Sequence, residues 1–135
     1  MLWNSNYETG NTILDSEHKE IFDMVDKLLA DDFSGRPEKI KTTVDFLADY
    51  VVRHFEHEEQ LMAESSYHDT EAHAKQHKDF VSTVGELMKE IETNLESIDF
   101  SLEVNKVIVN WLAKHVMGSD KVMIDHYRAW ASAAK

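Results

Sequence analysis

The sequence predicts an all-α fold, an up-down-up-down antiparallel four-helix bundle with a short N-terminal arm and a C-terminal helical extension. Three observations carry this expectation. Gly is rare and Pro occurs once, at Pro37, while Ala, Leu, Glu, Lys and Met are plentiful, a composition that favours helix throughout. Apolar residues recur at alternating steps of three and four along four long stretches, and the connections between them are brief and polar. At 135 residues the chain suits one domain that buries about two-thirds of its unfolded surface without disulfides. Long helices joined by short connections pack most simply as antiparallel neighbours.

The elements follow in order. The arm, MLWNSNYETG, has neither a basic nor an apolar signal region, and no stretch approaches a membrane span, so a soluble, cytoplasmic protein is expected. Asp15 or Ser16 can cap a first helix over residues 15–31. DDFSGRPEK is the clearest break, with Gly35 ending one region and Pro37 suited to the first turn of a second helix over 37–63. ESSYHD supplies a turn, after which Asp69 or Thr70 can cap a third helix over 70–95. Ser101, with Glu103 close by, opens a fourth helix over 101–116, which MGSD interrupts. A last helix over 120–131 carries Met123, Tyr127 and Trp130 on one side as a docking strip. No internal repeat or low-complexity linker divides the chain, and a single domain over residues 1–135 is expected.

Charge and composition exclude several function classes. The formal charge of −12 repels phosphate backbones and anionic membranes, which argues against nucleic acid and membrane partners. Without Cys there is no disulfide framework, thiolate metal site or cysteine nucleophile. HEEQL at His57 lacks the second histidine of the zinc-peptidase helix, and no Glu is followed three residues later by His as in ferritin-like carboxylate proteins. Glycine-rich phosphate loops and GxSxG elbows are absent as well.

What remains is a set of polar residues inside apolar seams. In the second helix Ile40, Val44, Leu47, Val51, His54, Glu58 and Leu61 share one stripe, and in the third so do His73, His77, Phe80, Val84, Leu87 and Ile91. The first contributes Leu14, His18, Ile21, Val25 and Leu28; the fourth contributes Val104, Ile108, Trp111 and His115. One histidine on such a face is ordinarily a satisfied core residue. Five, spread over four helices, would cost several kcal/mol to bury unpartnered, and metal ions remove that cost. Residues at i and i+4 lie about 5–6 Å apart at Cβ, so His73 and His77, or His54 and Glu58, can converge on one point. His115 and Asp120 are five apart, about 140° on a regular helix, and need a π-type irregularity or loosened turn near Gly118 and Ser119. Five imidazoles and two carboxylates exceed the needs of one tetrahedral zinc, whereas two ions sharing bridging carboxylates would use them all. Imidazole with carboxylate suits iron, although composition does not decide the metal.

The ordered pattern His18, His54-x-x-x-Glu58, His73-x-x-x-His77 and His115-x-x-x-x-Asp120, one element per helix, resembles the hemerythrin family and specifically its bacterial single-domain members. The wording of DSEHKEIFD, HFEHEEQLM, HAKQH and WLAKHVMGSD fits too, and the match spans nearly the whole chain. The resemblance implies a non-haem di-iron centre bridged by an oxo or hydroxo group and by Glu58 and Asp120. His73, His77 and His115 would hold one iron, and His18 and His54 the other, which keeps one open position for dioxygen. It also implies that Ile21, Phe55, Trp111, Leu112 and Val116 line an apolar pocket over that position, and that the protein binds dioxygen reversibly for storage, delivery or sensing and is not an enzyme. The alternative is a di-iron oxidase, peroxidase or nitric-oxide-handling enzyme using the same centre, and a third reading gives the metal a structural or iron-buffering role. A monomer is expected, with sensing requiring a separate protein partner. Met123 stands where the family usually has an aromatic residue, and His57, His68 and His126 match no ligand position and are expected at the surface or just outside the site.

Overall fold

The computed structural model describes residues 3–30, 37–94 and 105–133, and within them the chain is a four-helix bundle without strands. The expected break at residues 31–36, the fourth-helix start at Ser101 and the seam position Val104 lie outside the described residues, as do the side chains of Ile40 and Ile91. Helix α1 runs Thr12–Ala30, α2 Pro37–Glu64 and α3 Thr70–Asn94. The fourth arm is one continuous helical stretch of mixed pitch. A π-helical segment, Asn105–Val109, leads into α4, Asn110–Lys114; a second π-helical segment, His115–Asp120, then leads into α5, Lys121–Ala133. MGSD therefore loosens the helix without interrupting it.

The start of α1 differs from expectation. Asn11 is the cap: its Oδ1 accepts the Leu14 backbone N–H at 3.0 Å. Asp15, within the first turn, instead faces backwards and accepts Thr9 N–H at 2.8 Å, Thr9 Oγ1–H at 2.7 Å and Gly10 N–H at 3.2 Å. These bonds fold the arm onto the bundle. Gly10 sits at φ 92°, a left-handed conformation that favours glycine, and a Cβ there would also collide with the guanidinium of Arg128 from α5. The short 3-10 turn Ser5–Tyr7 in this arm packs against the His115–Asp120 segment.

Between α2 and α3 the chain reverses through Ser66, at φ 53°, with Tyr67 N–H donating to Met62 O at 3.0 Å. Ser65 Oγ–H donates to Leu61 O at 2.9 Å, and His126 of α5 donates through Nε2 to Ser65 O at 2.9 Å, tying the turn to the last helix. Thr70 donates its hydroxyl to Tyr67 O at 2.6 Å.

The core has two parts. A large cluster joins Ile21, Phe22, Val25, Leu28, Val44, Leu47, Val51, Phe55, Phe80, Val84, Leu87, Ile108, Leu112 and Val116. A smaller one joins Leu14, Met62, Tyr67, Met123 and Ile124. Each buried Leu, Ile or Phe contributes about 1.5–3 kcal/mol relative to exposure. Along α1, α2 and the fourth arm the two clusters leave a gap: Leu14 precedes and Ile21 follows His18, Phe55 precedes and Met62 follows Glu58, Val116 precedes and Met123 follows Asp120. A band of polar residues fills that gap.

Candidate metal centre

The band consists of His18 from α1, His54 and Glu58 from α2, His73 and His77 from α3, and His115 and Asp120 from the second π-helical segment. None is more than 4 % exposed, and Glu58 and Asp120 are fully buried. All seven sequence-predicted metal residues are thus brought together. The i, i+4 pairs converge because both α2 and α3 are regular. Asp120 converges because the segment from His115 is π-helical, where residues five apart come to the same side.

The two carboxylates divide their oxygens in the same way. Glu58 Oε1 lies 2.9 Å from His73 Nε2 and 3.0 Å from His77 Nε2, and Asp120 Oδ1 lies 3.0 Å from both His73 Nε2 and His115 Nε2. Glu58 Oε2 lies 2.6 Å from His54 Nε2 and 3.3 Å from His18 Nε2, and Asp120 Oδ2 lies 3.1 Å from His18 Nε2. Two donor sets result, one of Glu58, His73, His77, His115 and Asp120 and one of His18, His54, Glu58 and Asp120, sharing both carboxylates.

For three of the five rings the outer nitrogen tells which proton it carries, whereas His18 Nδ1 is buried without a partner. His54 Nδ1–H donates to Glu17 Oε1 at 3.0 Å, His77 Nδ1–H to Glu59 Oε2 at 3.2 Å, and His115 Nδ1–H to Gln76 Oε1 at 2.8 Å. A neutral ring protonated on Nδ1 turns a bare lone pair inward from Nε2. His77 Nε2 and His115 Nε2 then face each other at 3.1 Å, lone pair to lone pair. Both oxygens of Asp120, and His54 Nε2, are buried without a hydrogen bond despite their close neighbours, since those contacts lack hydrogen-bond direction. Such an arrangement is repulsive unless positive charge sits among the nitrogens and oxygens. The residues therefore fit a cation, or a pair of them, in a way that a self-satisfied polar core would not.

The electrostatics give the same demand for positive charge. Burial alone would push His54 down, but the Glu58 charge and the Glu17 and Glu58 contacts raise it to about 10; burial opposes His73 similarly, and Asp120 and Glu58 carry it to about 9. His18 and His115 are raised against their burial by the same carboxylates. Burial would lift the carboxyl of Glu58, yet His54, His115 and His18 hold it well below the usual range. Asp120 is likewise lowered, its burial and the nearby Glu58 charge being outweighed by His115 and His18. With no metal the site would take protons, and a metal would displace them.

Of the five residues expected to line the oxygen pocket, Ile21, Phe55, Leu112 and Val116 are buried in the large core cluster and Trp111, partly buried, packs against it. Two of them lie flat on candidate ligands: Phe55 stacks on His77 at 3.8 Å between ring centroids and 3°, and Trp111 on His115 at 4.3 Å and 14°. Met123 is fully buried among Leu14, Met62, Tyr67 and Ile124. The three remaining histidines lie outside the donor sets. His57 is half-exposed and bonds Glu17 Oε2 at 2.7 Å; His68 is exposed beside Asp69; His126 holds the α2–α3 turn. Sequence reasoning missed Glu17, Glu59 and Gln76. Each adjoins a ligand in sequence, which is the signal that could have found them.

Comparisons with known proteins agree with this geometry. The family described as "Hemerythrin HHE cation binding domain" matches residues 9–127. The chain is 32 % identical over 123 residues to a bacteriohemerythrin of Methylococcus capsulatus, covering 90 % of this chain and 92 % of that protein. It is 30 % identical over 118 residues to a hemerythrin-like protein of Naegleria gruberi, covering 87 % and 86 % of the two chains. A crystal structure of wild-type hemerythrin superposes with a TM-score of 0.81 at 30 % identity, covering 94 % of this chain and 97 % of that one.

Proposed function

The chain belongs to the hemerythrin family of di-iron oxygen-binding proteins, and from that premise we propose that it binds dioxygen reversibly, for storage, delivery or sensing, and without turnover. His18, His54, Glu58, His73, His77, His115 and Asp120 would hold two iron ions. His73, His77 and His115 would serve one, His18 and His54 the other, with Glu58 and Asp120 shared. The observation that carries the reading is the unequal pair of donor sets joined through both carboxylates, five residues on one side and four on the other. For two ions of octahedral preference the four-residue side is left with more room for an outside ligand. Bound iron would supply the electrons that dioxygen takes up on binding and gives back on release.

The chain's own residues do the rest. Outer hydrogen bonds from Nδ1 to Glu17, Glu59 and Gln76 keep three rings oriented with Nε2 inward. Ile21, Phe55, Trp111, Leu112 and Val116 would line the oxygen pocket and keep water out. None of the five is ionisable, so the lining offers no proton to turn reversible binding into release of reduced oxygen. This favours the carrier over the oxidase, peroxidase or nitric-oxide-handling alternative, which needs a proton donor and substrate access. A cytoplasmic, monomeric protein is part of this proposal; no helix among the described residues is long and apolar enough to cross a membrane.

The test is anaerobic loading of the reduced protein with ferrous iron, followed by cycles of oxygen and argon under visible absorption, with iron per chain measured alongside. A coloured adduct that forms and reverses at two irons per chain is expected. Irreversible oxidation at first exposure, or steady oxygen consumption with a reductant, would establish the enzyme instead, and one iron or none would remove the dinuclear centre.

A further inference from the structure

We propose that Gln76 is a positioning residue for the centre, its side-chain oxygen pinning the π-helical segment His115–Asp120 to α3 and holding the His115 ring with Nε2 inward. The proposal rests on the metal-centre reading above. It starts from a rarity: π-helical turns occur mostly as short irregularities inside α-helices, frequently at functional sites. Here the segment must keep that pitch, because it delivers both His115 and Asp120 to one point, with His115 Nε2 3.0 Å from Asp120 Oδ1.

Two side chains of the segment bond to the same atom on α3. His115 Nδ1–H and Ser119 Oγ–H both donate to Gln76 Oε1, each at 2.8 Å. An amide oxygen has two lone pairs and can accept both. Positions 115 and 119 span the segment's middle, so the shared acceptor fixes its rotation about the helix axis as well as its distance from α3. Gln76 also adjoins His77, whose Nε2 is 3.1 Å from His115 Nε2, so one turn of α3 sets both rings relative to each other. The chemistry of the acceptor matters too. The outer nitrogens of His54 and His77 meet carboxylates, Glu17 and Glu59, whereas His115 meets a neutral amide that orients the ring without adding charge. Stacking by Trp111 holds the plane of the His115 ring but leaves it free to flip about Cβ–Cγ, which puts Cδ2 in place of Nδ1 and Cε1 in place of Nε2 and so takes the inward lone pair away. The hydrogen bond to Gln76 removes that freedom.

The experiment uses the full chain with zinc(II) as a diamagnetic probe, comparing wild type with Gln76→Leu, Gln76→Glu and Ser119→Ala. Three quantities are measured: zinc affinity by chelator competition, the His115 Nδ1–H proton by NMR of the zinc-loaded protein, and helicity by circular dichroism. Gln76→Leu is expected to weaken zinc binding by about 10–100-fold and to move the His115 proton upfield with faster solvent exchange. Gln76→Glu, which keeps an acceptor, should restore affinity to within several-fold of wild type and keep that proton protected. Ser119→Ala should lose less, with the His115 proton intact, because its bond is exposed. Wild-type affinity in Gln76→Leu with an unchanged His115 proton would overturn the proposal, and so would equal weakening in Gln76→Leu and Gln76→Glu. Should Gln76→Leu fail to fold, Gln76→Ala takes its place under the same criteria. Failure of the wild type itself to bind zinc would sink the metal centre, an outcome distinct from equal binding by every variant.

Discussion

Glu58 lies fully buried with ring nitrogens of His18, His54, His73 and His77 within 3.3 Å, and that crowding decides how the protein responds to pH. In the metal-free chain, His54 rises from 6.5 to about 10 and His73 to about 9. A raised histidine stabilises the fold fully below its unfolded value and loses that contribution as pH climbs through the folded one. Glu58 and Asp120 are lowered, so their contribution holds above their ordinary values near 4 and is lost on acidification. Metal-free protein should therefore be most stable between about pH 4.5 and 6.5 and should weaken towards pH 9–10 as far as these groups govern it. Metal affinity runs the other way, since protons leave the same nitrogens. The gap in melting temperature between zinc-loaded and metal-free protein should widen from pH 6 to pH 9, and a constant gap would mean that the imidazoles do not titrate against the metal. At this scale the ligands were legible from the sequence and their outer partners were not. His54 and His77 betray themselves as polar residues in an apolar stripe. Glu17, Glu59 and Gln76 flank the stripes, where polar residues are ordinary, and only the neighbouring helix shows what they touch.

Regular helices transmit sequence spacing faithfully and irregular ones do not. The pairs His54 with Glu58 and His73 with His77 could be read from the i, i+4 rule because α2 and α3 hold 3.6 residues per turn through them. Asp120 could not, because its inward direction depends on the pitch of His115–Asp120. Glycine was the expected cause of that irregularity, yet Gly118 has a negative-φ backbone and no heavy atom within 4 Å of where a Cβ would stand. Gly118→Ala is therefore expected to keep the site and to stabilise the fold by about 0.5–1 kcal/mol through the lower entropy of the unfolded chain. Thermal melting checks this, and lost zinc binding in that variant would return the role to glycine. The α1 cap was misread as Asp15 or Ser16 because both are good capping residues. Asn11 takes the position since Asp15 is already engaged by Thr9 and Gly10. Asn11→Ala should cost about 1 kcal/mol in chemical denaturation while leaving metal stoichiometry unchanged.

The bundle as a whole was the most legible level, because apolar periodicity over four long stretches leaves few other ways to bury the seams. What periodicity could not show is that the core is divided. The large cluster and the smaller one of Leu14, Met62, Tyr67, Met123 and Ile124 meet only across the polar band. Removing the metal should weaken that junction more than either cluster. Hydrogen exchange in metal-free protein should accelerate in α5 and the end of α2 well before the segment around Val25, Val51 and Val84, whereas uniform acceleration would show that the bundle opens as one unit. The divided core has a consequence for the life of the chain in a cell. A copy that has lost its metal would loosen first at the end where Met62, Met123 and Ile124 lie, presenting to proteases a segment that a loaded copy keeps closed. Turnover would then sort filled copies from empty ones, and the amount of protein that persists would follow the supply of metal as well as the rate of synthesis.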